Sequence, residues 1–317
     1  MKKILTLASA VMLLVACSKS ETNIVEPQGH MRQIKAKSAI EGVTTRAVVA
    51  TDAEFSNIVF VRYDDRAKNL TGNFNFSATD AVSGSRTVGG AITFTPGQQY
   101  DMDDDKTVYI RGYHPAGTLV SGVATWTPDG ATDILMTDVW NAGKYSSPIT
   151  TGMVFRHILA RIEVICQAEV GSSLLVVQTV WGKIESIKFA DAMPDMTYTY
   201  ATDAVAASGM PTDFMLLNGA TYTIGAFTPA AIPANGSTAV TASAMLPPVM
   251  GTNVTLKIKT VEQGEITKAI TLSGNFEKGK IHTVTLTFKA NGKDIDVTTS
   301  SIEEWTDGYV GNGDIEI

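Results

Sequence analysis

Between Ile58 and Ile302 apolar and polar side chains alternate with a period of two almost throughout, the pattern of strands with one buried face. Candidate strands are Ile58–Tyr63, Phe74–Ser77, Arg86–Phe94, Thr107–Tyr113, Thr118–Thr125, Ile134–Thr137 and Met153–Cys166. After a weakly patterned stretch, Gln167–Ser173, a second set follows: Lys183–Phe189, Met196–Tyr200, Thr221–Phe227, Ala239–Met245, Asn253–Val261, Glu265–Leu272, Ile281–Lys289 and Asp294–Ile302. Turn signals such as Thr71-Gly72-Asn73, Thr95-Pro96-Gly97 and Pro128-Asp129-Gly130 punctuate the first set. Each set has enough strands for one sandwich. The pattern predicts an all-β chain of two β-sandwiches, residues 47–170 and 171–317, joined near residues 168–178. Only Ala142–Lys144 and a few loop pieces offer a short helix, and no repeat of fixed period is present.

Upstream of this body the pattern changes twice. Lys2 and Lys3 precede an apolar run, Ile4–Ala16, too short to span a bilayer as a helix. The run ends at Leu14-Val15-Ala16-Cys17, the small-residue-then-cysteine arrangement that a lipoprotein signal peptidase needs, so residues 1–17 read as a signal peptide ending at a lipidated Cys17. Two or more acyl chains, at about 0.8 kcal/mol per buried methylene, make a durable anchor, and this lipid is the expected membrane attachment. In the leader, residues 18–46, Ile34, Ala36, Ser38 and Ile40 fall on one face and Lys35 and Lys37 on the other. That is either a half-buried strand, removable by a cut at the basic bond Arg46–Ala47, or a spacer holding the body off the membrane. If the strand belongs to the first sandwich, its departure leaves an open edge and groove, which invites a strand from another chain.

The C-terminus offers such a strand. Trp305, Tyr309, Ile315 and Ile317 occupy alternate-face positions with Gly311 and Gly313 between them, and Val310 adds to the apolar content. Thirteen extended residues reach roughly 40 Å, the length of a sandwich. Burial of four such side chains contributes about 6–12 kcal/mol, against about 1–2 kcal/mol per residue of backbone entropy. A continuous main-chain ladder must therefore supply the rest. The other reading is a frayed terminus whose Trp305 packs on its own domain.

Composition narrows the function. Charged residues are only 18%, with 27 glycines among the strand formers, as in β-rich surface proteins. The formal charge is −7, but residues 1–46 hold seven Lys/Arg against three Glu, which leaves −11 on the remainder. So acidic a body argues against nucleic acid and anionic membrane as partners. Of the two cysteines, Cys17 is assigned to lipid and Cys166, within Ile162–Cys166, reads as a core thiol. The four histidines (30, 114, 157, 282) lack the paired spacing of a zinc helix, and His157 reads as a core or edge histidine. Asp101–Asp105 could cup Ca²⁺, but the loop lacks the glycine and glutamate of an EF-hand and is followed by Lys106. No nucleophile elbow or phosphate loop is present, so no catalytic residue, metal or cofactor is expected. Tyr63, Tyr113, Trp126, Trp140 and Tyr145 are candidates for a sugar platform, more simply read as core or interface.

Six segments in order carry a resemblance across nearly the whole chain: the lipobox at Cys17, Glu41–Ala47, Phe155-Arg156-His157-Ile158-Leu159-Ala160-Arg161-Ile162, Met245-Leu246-Pro247-Pro248, Phe276–Val284 and Ile302–Gly308. Together they resemble the fimbrillin family, the Mfa-like and FimA-type (type V) pilins of Gram-negative surfaces. The resemblance implies two tandem transthyretin-like Greek-key β-sandwiches and export to the outer membrane as a lipoprotein. It implies maturation by an Arg-specific surface protease at Arg46–Ala47, release of the strand bearing Ile34, Ala36 and Ile40, and donation of one bearing Tyr309, Val310, Ile315 and Ile317. The partners implied are other copies or related pilin subunits in an adhesive cell-surface fimbrium, with a host protein or glycan as its target. The competing reading is a permanently anchored glycan-binding lipoprotein or a fimbrial anchor subunit.

Overall fold

The computed structural model describes residues 31–40, 53–65, 81–149, 151–200, 202, 204–219, 227–249 and 251–304. Contacts divide the chain into residues 1–31 and 32–317, and every described strand and helix lies in the second unit. In chain order its strands are β1 (Ala36–Ile40), β2 (Phe55–Asp65), β3 (Ala81–Arg86), β4 (Ala91–Thr95), β5 (Thr107–His114), β6 (Thr118–Val120), β7 (Val123–Trp126) and β8 (Leu135–Thr137). Then come β9 (Trp140–Lys144), β10 (Ser147–Pro148), β11 (Met153–His157), β12 (Ala160–Ala168), α1 (Leu174–Trp181), β13 (Lys183–Ala192), β14 (Asp195–Thr199) and β15 (Ala204–Ser208). The last are β16 (Thr212–Met215), β17 (Leu217–Asn218), β18 (Ala230–Ala231), β19 (Val240–Leu246), β20 (Asn253–Thr260), β21 (Gly264–Thr271), β22 (Lys280–Phe288) and β23 (Ile295–Glu304).

The fold is mostly strand, as the period of two predicted. The N-terminal region differs from the expected two-sheet sandwich, because its ladder closes on itself. The order β5-β2-β3-β4-β1-β11-β8 returns to β5 through the β5–β8 pair, a seven-stranded barrel, with β9 and β10 attached outside β5. Its interior is filled by Ile40, Ile58, Phe60, Ile110 and Phe155, among others. A Cβ on Gly84 or on Gly112 would lie 2.6 Å from the Phe60 ring, so these two glycines make the room in which that ring sits.

In the C-terminal region two sheets, β17-β19-β12-β22-β23 and β16-β13-β20-β21, enclose one apolar core, as a sandwich does. β12 joins this region from before residue 170: it lies parallel to β22 and antiparallel to β19. The hairpin β14–β15, from beyond residue 190, pairs instead with β7 of the earlier hairpin β6–β7. A third core, containing Tyr113, Trp126, Leu159, Met196, Tyr198 and Met245, lies between these layers.

Two local expectations change. Ala142–Lys144 belongs to strand β9, not to a helix, and β9 pairs through Trp140, Asn141 and Gly143 with Ile110, Tyr109 and Val108 of β5. The helix lies instead at α1, in the expected linker, where Val177 and Trp181 are buried in the C-terminal core and the Trp181 indole donates to the Lys289 carbonyl (2.6 Å). Arg86–Phe94 and Met153–Cys166 each resolve into two strands. Phe74–Ser77 and most of Thr221–Phe227 lie outside the described residues.

Candidate functional site

The leader strand is a stave of the barrel. β1 lies antiparallel to β4, with Ala36 opposite Ile92 and Lys37 opposite Ala91, and parallel to β11, with Ser38, Ala39 and Ile40 opposite Met153, Val154 and Phe155. Upstream of β1 the ladder continues: the Ile34 amide donates to the Gln98 carbonyl (2.8 Å) and the Tyr100 amide to the Arg32 carbonyl (2.9 Å). Alternation does the sorting. Ile34, Ala36, Ser38 and Ile40 are buried, Lys35 is exposed, and Lys37 and Ala39 are half-buried. Burying the two isoleucines contributes about 3–6 kcal/mol, and without β1 the edges of β4 and β11 face each other across a gap.

Ser38 carries the polar fastening. The Arg86 guanidinium, 3% exposed, donates through Nε to Ser38 Oγ (3.1 Å) and through Nη2 to the Ser38 carbonyl (3.3 Å). It also reaches the Ala53 carbonyl and lies over the Phe55 ring, 5.8 Å from its centroid. The Ser38 amide donates to the Gly90 carbonyl (2.7 Å). Gly90 has φ +80°, and a Cβ there would lie 2.4 Å from the Ser38 oxygen. The backbone of β1 therefore passes closer to this turn than any other residue type permits. The alternation disclosed Ser38, but Arg86 stands 48 positions away and no local signal links the two.

Ile34, Ala36 and Ile40 are thus brought into one seat. Cys17, Arg46, Ala47, Tyr309, Val310, Ile315 and Ile317 lie outside the described residues, as does Trp305. By sequence, Arg46–Ala47 falls in the connection from β1 to β2.

The other candidates resolve into structure. His157 Nδ1 lies 2.7 Å from Asp133 Oδ2 with both side chains buried, and Arg161 pairs with Glu163 at 2.5 Å, also buried. The segment Phe155–Ile162 therefore joins barrel to sandwich: Phe155 enters the barrel core, Leu159 the middle core and Ile162 the sandwich core. Burial pushes the Cys166 thiol up to about 12, against the lowering effect of the Thr241 hydroxyl. Burial also lowers His282 to about 4. Asp101 bonds to Lys106, which with the Asp103 amide holds its carboxyl below the usual range, and Asp104 accepts from Ser146 and Lys144. Among the described residues no group of three or more His, Cys, Asp or Glu is placed to hold a metal. Trp126 and Trp140 are buried, their indoles donating to the Pro115 and Thr151 carbonyls, and Tyr113 is buried with them. Of the five aromatics only Tyr63 and Tyr145 are half-buried rather than buried. Among the described residues no helix is long and apolar enough to cross a membrane.

Similar folds recur in solved structures. A protein of Bacteroides uniformis provisionally assigned to cell adhesion is 15% identical, with TM-score 0.57 over 86% of this chain and 98% of its own. One of Bacteroides ovatus with the same provisional assignment is 16% identical, with TM-score 0.55 over 88% and 100%. A fimbrial protein of Bacteroides vulgatus is 17% identical, with TM-score 0.52 over 86% and 99%. At such identities these show the fold alone. No curated protein matches. The model of the family described as fimbrillin-like matches residues 45–305, well over half of the chain. The chain therefore belongs to the fimbrillin-like family, fimbrial and adhesion proteins of the cell surface.

Proposed function

We propose that this chain is a structural pilin subunit, exported as a lipoprotein through Cys17, cut at Arg46–Ala47 by an Arg-specific surface protease, and polymerised by donor-strand exchange. The observation that carries the reading is the seat of β1: one stave of a closed barrel, supplied by the segment just ahead of that bond. While the chain is intact, β1 is held by its ladder, its isoleucines, Arg86 and the covalent connection to β2. The cut removes the last of these. β1 is then a peptide bound by non-covalent contacts alone, and a competing strand at high local concentration displaces it.

The tail bearing Tyr309, Val310, Ile315 and Ile317 is the donor, entering the barrel of the next subunit. A strand that closes a barrel leaves no edge for further pairing, so growth proceeds from one open subunit to the next. Each contact is head-to-tail, and repetition of a non-closing contact makes a filament. Lipid then holds the precursor at the outer membrane, and the fimbrium carries the mature chain to the cell surface.

Deletion of residues 306–317 tests this. The expected result is a folded monomer, still cut at Arg46, that forms no polymer. Filaments at wild-type yield from the deleted chain would overturn the reading.

A further inference from the structure

We propose that the donated tail enters the barrel in one register, with Tyr309, Gly311, Gly313 and Ile315 taking the positions of Ile34, Ala36, Ser38 and Ile40. This register rests on donor-strand exchange as the mode of assembly and adds which residue goes where, and why. The buried face of the leader strand reads large, small, small, large: Ile34, Ala36, Ser38, Ile40. The tail carries that pattern at the same spacing in Tyr309, Gly311, Gly313 and Ile315. Moving the tail by two positions either way puts an isoleucine or a tyrosine where the leader has alanine or serine.

The middle of the seat does not admit that. Phe60 fills the barrel interior between Gly84 and Gly112, in the same core cluster as Ala36 and Ile40. At the Ser38 position Arg86 lies within hydrogen-bond distance of both the side-chain and the main-chain oxygen, and Gly90 crowds the carbonyl. A side chain larger than serine collides with the buried guanidinium of Arg86, 3% exposed. Gly313 fits, and its carbonyl takes over the bond from Arg86 Nη2. Arg86 and Gly90 are thus specificity-determining residues: they admit a strand only where a small residue crosses them.

Chain direction follows from the two ladders. The seat offers β4 an antiparallel and β11 a parallel neighbour, and these differ in hydrogen-bond spacing, so a strand running as β1 does satisfies both. That direction places Tyr309 at the Ile34 end, beside the half-buried Gln98 and Gln99, where a phenolic hydroxyl reaches water. It places Ile315 at the Ile40 position, 1% exposed against Phe155. On the outer face Asn312 replaces Lys37, opposite the exposed Ala91.

The test uses the full chain, cut with an Arg-specific protease, with polymer measured as detergent-resistant ladder. Gly311→Leu and Gly313→Leu should each lower polymer yield at least tenfold while the Arg46 bond is cut at the wild-type rate. Asn312→Leu, on the face where the leader carries a lysine, should polymerise normally. A second measurement does not depend on these variants assembling poorly: Ala91→Cys with Asn312→Cys should form a disulfide between subunits, and Ala91→Cys with Val310→Cys should not. Wild-type yield from both leucine variants, or a polymer in which the Val310 pair crosslinks and the Asn312 pair does not, overturns the register. If deletion of 306–317 still abolishes polymer in that case, donor-strand exchange stands and only the register fails. If the deletion also leaves yield unchanged, both fail.

Discussion

A buried guanidinium is costly to fold around unless acceptors surround it. Arg86 meets this by directing two of its donors to Ser38, the residue that the proposed maturation takes away. The same contact stabilises the precursor and makes the emptied barrel unfavourable until another carbonyl arrives. Arg86→Met should lower precursor stability by about 1.5–3 kcal/mol in urea unfolding, the range for hydrogen bonds to a charged group. Ser38 was legible as one member of an alternating face; its partner was not, since nothing in the sequence between them marks the pair.

His282 belongs to the same scale. It is 1% exposed, its ring 5.0 Å from that of Phe276, and burial holds it near 4 against an ordinary 6.5. The unfolded chain binds this proton first as pH falls, so the stability it contributes is fully present above about 6.5 and is lost on acidification toward 4. Between pH 7 and pH 4 the wild type should lose up to about 3 kcal/mol more than His282→Gln, measured by urea unfolding at each pH. Equal losses would mean that the imidazole is not buried in its neutral form.

At the scale of elements, β1 was readable and its place was not. Its alternation is local, whereas its parallel partner β11 begins more than a hundred residues downstream, and the barrel closes only when β8 also pairs with both β11 and β5. α1 was hidden for a different reason. Leu174–Trp181 is apolar and rich in β-branched valine, which lowers helix propensity, and Ser173 makes no side-chain capping bond. The burial of Val177 and Trp181 overrides the local preference. A third element, β12, gives the face bearing Ala160, Ile162, Val164, Cys166 and Ala168 to the sandwich core, while Arg161 and Glu163 on its other face are also buried and pair with each other. For β1 a conditional effect is predicted. Ile40→Ala should cost the precursor about 2–5 kcal/mol, read as a lower Tm, yet leave the thermal stability of assembled polymer unchanged. A polymer weakened to the same degree would mean that the leader strand is still in its barrel.

At the scale of the whole molecule, a seven-stave barrel completed by β1 is joined, through Phe155–Ile162, to a sandwich with its own continuous core. The sandwich core draws no residue from β1, so loss of the leader opens the barrel and leaves this core intact. The seat and its small-residue middle are built into the structure; the roles of the Arg46–Ala47 bond and of the C-terminal tail are proposals read from sequence. These meet in one measurement: the mass of the N-terminal peptide of subunits recovered from filaments on the native cell surface. The account predicts a chain beginning at Ala47, with no peptide from residues 18–46 retained. Filament subunits that begin at acylated Cys17, with β1 still attached, would contradict it.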